Sequence, residues 1–215
     1  MHAYTIDKSL RGKVVINIFI LSIILSSFLT ICLGGTITAA MMWLRQYKWI
    51  SSILNLCDTL GVTTNFIGVT FLYGIIYWIF DNYAWKWGIF RKFLGVPNLN
   101  GHWEGELTSK TFPTTIKMSL DVVQTWSKIS FVSTFPNSKS ESNVASIFIE
   151  RDGIMKVGFG FINHSRELQH QYDGYNILDL DDDTHLFGRY FNNRDNSNVG
   201  NKGGNIGTFI LHKTY

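Results

Sequence analysis

Cysteine is almost missing from this chain. Cys32 and Cys57 are the two present among 215 residues, and both fall in the first half. That excludes a disulfide framework and a cysteine-based zinc motif. The second half has none, which suits a cytosolic location. Catalytic signatures are missing as well. No Gly-x-x-x-x-Gly-Lys-Ser/Thr or Gly-x-Ser-x-Gly stretch occurs. The later histidines, His102, His164, His170, His185 and His212, form no His-x-x-x-His or His-Glu-x-x-His pair. Asp181-Asp182-Asp183 lacks the Asp-x-Asp-x-Asp-Gly spacing and distal Glu of a calcium loop. Glu104 and Glu106 share one strand face, where water leaves both ionised at neutral pH. The expectation is a chain that is not an enzyme, with no metal and no cofactor.

A basic second half is the third absence. Residues 1–98 carry eight Lys/Arg against three acids, whereas residues 99–215 carry eleven against thirteen. A duplex-binding domain needs a basic face to neutralise phosphates, so no nucleic-acid polymer is expected as partner. The contrast between the halves points to two physical environments.

What the first half does have is long uncharged runs. Val14 to Leu33 contains no charge, and Gly34-Gly35 and TITAAMMWL follow. About 20 apolar residues cross a hydrocarbon core of ~30 Å, and this run exceeds the ~7–15-residue core of a cleaved signal peptide. Val62 to Phe80 is a second uncharged run. Tyr47, Lys48 and Trp49 follow the first run, and Tyr77, Trp78, Trp85, Lys86 and Trp87 follow the second, as aromatic and basic belts do at a membrane interface. The reading is a membrane anchor over 1–95 with transmembrane helices at about 14–36 and 62–80. Lys/Arg placement puts both termini on the cytoplasmic side. Ser22 with Ser26, and Gly68 with Gly74, provide small contact positions between two such helices.

After Val96-Pro97-Asn98 the hydrophobic period changes to two. Eight strands are predicted, at 102–109, 115–125, 128–135, 143–150, 154–162, 171–180, 184–192 and 205–213. Short turns such as Arg151-Asp152-Gly153 imply antiparallel neighbours. The fold class is therefore membrane-anchored all-β, with residues 96–215 forming a small eight-stranded antiparallel up-and-down barrel, wide enough for packed side chains or one small ligand.

Binding has better support than catalysis. Trp103, Trp126, Tyr172 and Tyr190 supply rings, and Arg151, Arg189 and Arg194 supply cations. Rings stack on bases and guanidinium groups fork phosphates, so the set suits a planar, anionic ligand. Trp103 also reads as a plug at one end of the barrel. Alternation puts Arg189 and Tyr190 on opposite faces. Residues 191–204 form a long irregular loop carrying Arg194 and Lys202.

Leu99-Asn100-Gly101-His102-Trp103 opens the first strand, and Leu186-Phe187-Gly188-Arg189-Tyr190 forms a late one. With two preceding apolar runs and a final Gly-containing strand, the layout resembles the two-transmembrane β-barrel effectors of bacterial cyclic-oligonucleotide anti-phage signalling (CBASS). The resemblance implies that the barrel binds a cyclic dinucleotide made by a partner nucleotidyltransferase during phage infection. It further implies oligomerisation and disruption of the bacterial inner membrane, ending in growth arrest or cell death. The Gly-x-Trp start also occurs in lipocalins, so a membrane-anchored calycin-like carrier of an apolar ligand is one alternative. A protein-binding adaptor is another.

Overall fold

The computed structural model describes the chain except residues 7, 61–63, 112–113, 150–154, 166–171, 181–183, 195–203 and 215. It divides into two compact units, residues 9–82 and residues 1–8 with 83–215.

The first unit is helical. Helix α1 (Lys8–Leu44) runs unbroken through Gly34-Gly35, and α2 (Lys48–Thr59) and α3 (Thr64–Asn82) follow. Among the described residues α1 is the helix long and apolar enough, by length and composition, to cross a membrane. The run at 62–80 forms α3, with its first two positions outside the described residues. The buried positions Val14, Ile18, Ser22 and Ser26 recur every fourth residue of α1, which is one helix face. A Cβ on Gly68 would lie 3.3 Å from Ser26 Oγ, so α3 approaches α1 closely at these small side chains. Phe19 and Tyr73 meet edge-on beside them, with ring centroids 6.2 Å apart. Beyond α1, Arg45 pairs with Asp58 at 2.8 Å.

The second unit is a closed barrel of nine strands. They are β1 (His2–Thr5), β2 (Gly101–Ser109), β3 (Thr115–Gln124), β4 (Lys128–Thr134), β5 (Ser138–Ile149), β6 (Met155–Ser165), β7 (Tyr172–Leu180), β8 (His185–Asn192) and β9 (Ile206–Thr214). A short α4 (Gly88–Leu94) precedes β2 and stops at Gly95, whose φ of 61° ends a helix readily. Strands β2 to β9 pair with their sequence neighbours, and β9 closes on β2.

The expectation of eight strands needs correction: the ninth, β1, comes from the N-terminus, ahead of α1. β4 and β5 pair at Val132 with Glu141, Ser133 with Ser140 and Thr134 with Lys139. β1 runs antiparallel to β4 (His2 with Ile129, Ala3 with Lys128) and parallel to β5 (Tyr4 with Ala145, Thr5 with Ser146). It therefore fills the seam where those two strands part. The register of β5 shifts between Ser142 and Val144. This bulge lets Ser138 and Ser140 on one side of it, and Ala145 and Ile147 on the other, all point inward. Ser142 fastens the junction, its Oγ accepting from the Phe131 amide at 2.9 Å and meeting His2 Nε2 at 2.7 Å.

One end of the barrel is filled. Trp103, Trp126, Leu120, Ile129, Phe131, Phe159, Leu178 and Leu211 are fully buried there. Phe131 and Phe159 stack with centroids 4.1 Å apart. The side chain of Gln124 ties the entering segment to this end. Its Oε1 accepts from the Leu99 amide at 2.9 Å, and its Nε2 donates to Pro97 O at 3.1 Å and to the Tyr4 hydroxyl at 3.4 Å.

Candidate ligand cavity

Inward positions change character along the barrel. From the filled end outward, β2 presents Trp103, Gly105, Leu107 and Ser109, and β6 presents Val157, Phe159, Phe161 and Asn163. Likewise the last inward position of β4 is Ser133, the first inward positions of β5 are Ser138 and Ser140, and β9 is preceded by Asn205. Large apolar side chains fill one end, and shorter polar ones cannot fill the other. The result is a cavity of about 1100 Å³ at the opposite mouth, lined by Phe161, Asn163, Tyr172, Tyr190, Arg194 and Phe209 among others.

Backbone approach shapes its wall. Tyr190 pairs with Gly207 across β8 and β9, and a Cβ on Gly207 would fall 2.6 Å from the Tyr190 ring and 2.3 Å from Thr108 O. Glycine at that position lets the ring lie against the wall. At the rim, the Arg194 guanidinium stands 5.8 Å from the Tyr172 ring centroid, and Phe161 meets the same ring edge-on at 6.4 Å. The loop base that carries Arg194 is held by side-chain amides. Asn192 Oδ1 accepts from the amides of Arg194 and Asn205, both at 3.2 Å, and Asn193 Oδ1 accepts from the Asp173 amide at 2.8 Å.

Burial is the main cause that raises the pKa of both phenols, Tyr172 and Tyr190; Arg194 opposes the rise at Tyr172, and a hydrogen bond with the Ser109 side chain, then Arg194, opposes it at Tyr190. Both phenols therefore remain protonated at neutral pH, with the Tyr190 hydroxyl hydrogen-bonded to the Ser109 side chain. Asn163 is fully buried. Its Nδ2 donates to Ser140 Oγ at 2.9 Å and to Ser138 Oγ at 3.3 Å, whereas its Oδ1 is buried without a hydrogen-bond partner among the described residues. Leaving such a group unpaired costs about 1–3 kcal/mol.

Of the residues singled out in the sequence, Tyr172, Tyr190 and Arg194 come together at this cavity. Trp103 and Trp126 lie in the filled end, 1% and 2% exposed, where Trp103 Nε1 donates to Leu99 O at 3.0 Å. Arg189 faces outward, on the opposite strand face from Tyr190. Arg151 lies outside the described residues. Sequence reasoning missed Asn163, Asn176, Asn205, Ser133, Ser138 and Ser140. The signal that marks them is a polar residue at an inward strand position.

A closed barrel, filled at one end and opening at the other into a cavity of mixed polar and apolar lining with phenol hydroxyls and a guanidinium, is a barrel able to receive a small ligand. Residues 94–202 match the family described as Cap15, cyclic dinucleotide receptor domain. The chain is also similar to CD-NTase-associated protein 15 of Yersinia aleksiciae, at 32% identity over 157 residues, covering 70% of this chain and 68% of that protein. The chain belongs to the Cap15 family of CBASS effectors.

Proposed function

We propose that the mouth of the barrel takes up a cyclic dinucleotide made during phage infection, and that binding drives assembly of copies in the bacterial inner membrane. The observation that carries this reading is the convergence of Tyr172, Tyr190 and Arg194 on one cavity of about 1100 Å³. Small-molecule sites measure about 300–1,000 Å³, so the space suits a ligand of two nucleotides. Rings stack on its bases and the guanidinium meets its phosphates. An apolar cargo would leave the buried Asn163 Oδ1 without a hydrogen-bond partner among the described residues, which disfavours the carrier alternative.

In this reading α1 and α3 both span the membrane, and both termini lie in the cytoplasm. Ligand acts as an activator and is released unchanged, with no turnover. A ligand shifts an assembly equilibrium only through higher affinity for the assembled state. Clustered spans then disrupt the bilayer and arrest growth.

The test uses the full chain in detergent and in lipid vesicles. Cyclic dinucleotide should increase particle mass in light scattering and release an entrapped dye. Binding with no change in mass and no leakage would refute the assembly step.

A further inference from the structure

We propose that Asn163 selects the nucleobase, and that the phosphates of the same ligand lie with Arg194. This rests on the cavity being the cyclic dinucleotide site. Asn163 lies opposite Ser140 in the β5–β6 pairing. The Ser138 and Ser140 hydroxyls engage one end of its amide, which fixes the side chain. The other end, Oδ1, is buried and unpartnered among the described residues. A group left so is satisfied when a ligand supplies an N–H, and a nucleobase edge carries one.

The charge layout sets the orientation. The polar lining at Ser109, Ser133, Ser140, Asn163, Asn176 and Asn205 is buried and neutral. The cationic lining residues lie at the rim, with Lys139 near the start of β5 and Arg194 just beyond the end of β8. Burying a phosphate among neutral groups is costly, whereas a base is neutral and planar. The phosphates therefore stay with the exposed Arg194 and the base edge turns to the buried Asn163. Phosphate contacts carry no base information, and an amide set against a base edge does.

The test measures dissociation constants of the full chain in detergent for cyclic di-AMP, cyclic di-GMP and cyclic di-UMP. Wild type should separate the best and worst of these by about tenfold or more. Asn163→Leu has similar volume and no polar end. It should bring the three within about threefold of one another by weakening the best. Arg194→Ala should weaken all three by a similar factor and leave their order unchanged. An unchanged order in Asn163→Leu, a changed order in Arg194→Ala, or equal wild-type affinities would overturn the proposal. Binding of none of the three by wild type would instead sink the cavity reading itself. Should Asn163→Leu fail to fold, the best ligand is remade with the base's N–H donors removed and titrated into wild type. A loss of about tenfold supports the proposal, and equal affinity overturns it.

Discussion

Replacing Tyr4 with alanine asks whether the N-terminal strand is part of the barrel wall. Tyr4 is 3% exposed. Its hydroxyl donates to Thr125 O at 3.3 Å and accepts from Gln124 Nε2 at 3.4 Å. Truncating a buried aromatic side chain to alanine costs about 3–5 kcal/mol, from lost transfer free energy and the cavity left behind. Tyr4→Phe keeps the ring and loses the hydroxyl bonds, a loss of about 0.5–1.5 kcal/mol each. For a domain of this size a change of 1 kcal/mol moves Tm by about 2–4 °C, so Tyr4→Ala should melt about 6–20 °C below wild type. The assay is thermal melting of the full chain in detergent, followed by tryptophan fluorescence, because Trp103 and Trp126 are buried at the filled end. A Tm for Tyr4→Ala within about 2 °C of wild type would refute the placement of β1 in the seam.

The same seam predicts that a fragment of residues 96–215, which lacks β1, exposes the unpaired edges of β4 and β5 and self-associates in light scattering. A synthetic peptide of residues 1–6 should reduce that association. Gly207→Ala places a Cβ against Thr108 O and the Tyr190 ring, so it should destabilise by about 1–3 kcal/mol in chemical denaturation and weaken ligand binding. His102 is held above its usual pKa, chiefly by its hydrogen bond to Asp121 at 2.6 Å. A raised folded-state value stabilises fully below the ordinary imidazole pKa of about 6.5, and that stabilisation is lost as pH rises through the raised value. Wild type should therefore lose its Tm advantage over His102→Gln as pH increases from about 6 upward, whereas an advantage that grows with pH would contradict the assignment.

Much of the barrel was legible because strands with one packed face alternate in hydrophobicity. The exceptions have physical causes. β1 is four residues long and buries one large ring, Tyr4, which gives no periodic signal. The first five residues of β5, Ser138 to Ser142, escaped notice, as did Asn163 to Ser165 of β6. Ser138, Ser140 and Asn163 face the cavity, and the alternation fades where the wall turns polar. The strand edges missed in the sequence are thus the edges of the site. Tyr172, Tyr190 and Arg194 were found as rings and a cation. Trp103 and Trp126 were not separable from them by composition, because an inward ring fills a core or lines a cavity according to its neighbours.

Titration calorimetry of the full chain with a cyclic dinucleotide, comparing wild type with a Tyr172→Ala, Arg194→Ala double variant, decides whether the cavity is the binding site. Both side chains sit at the cavity rim, with Arg194 exposed. Wild type should bind saturably, and the double variant should lose about tenfold or more in affinity, since charge-assisted contacts to phosphate are among the strongest hydrogen bonds. Undiminished affinity in the double variant, or no wild-type binding to any cyclic dinucleotide, would contradict the cavity as the binding site.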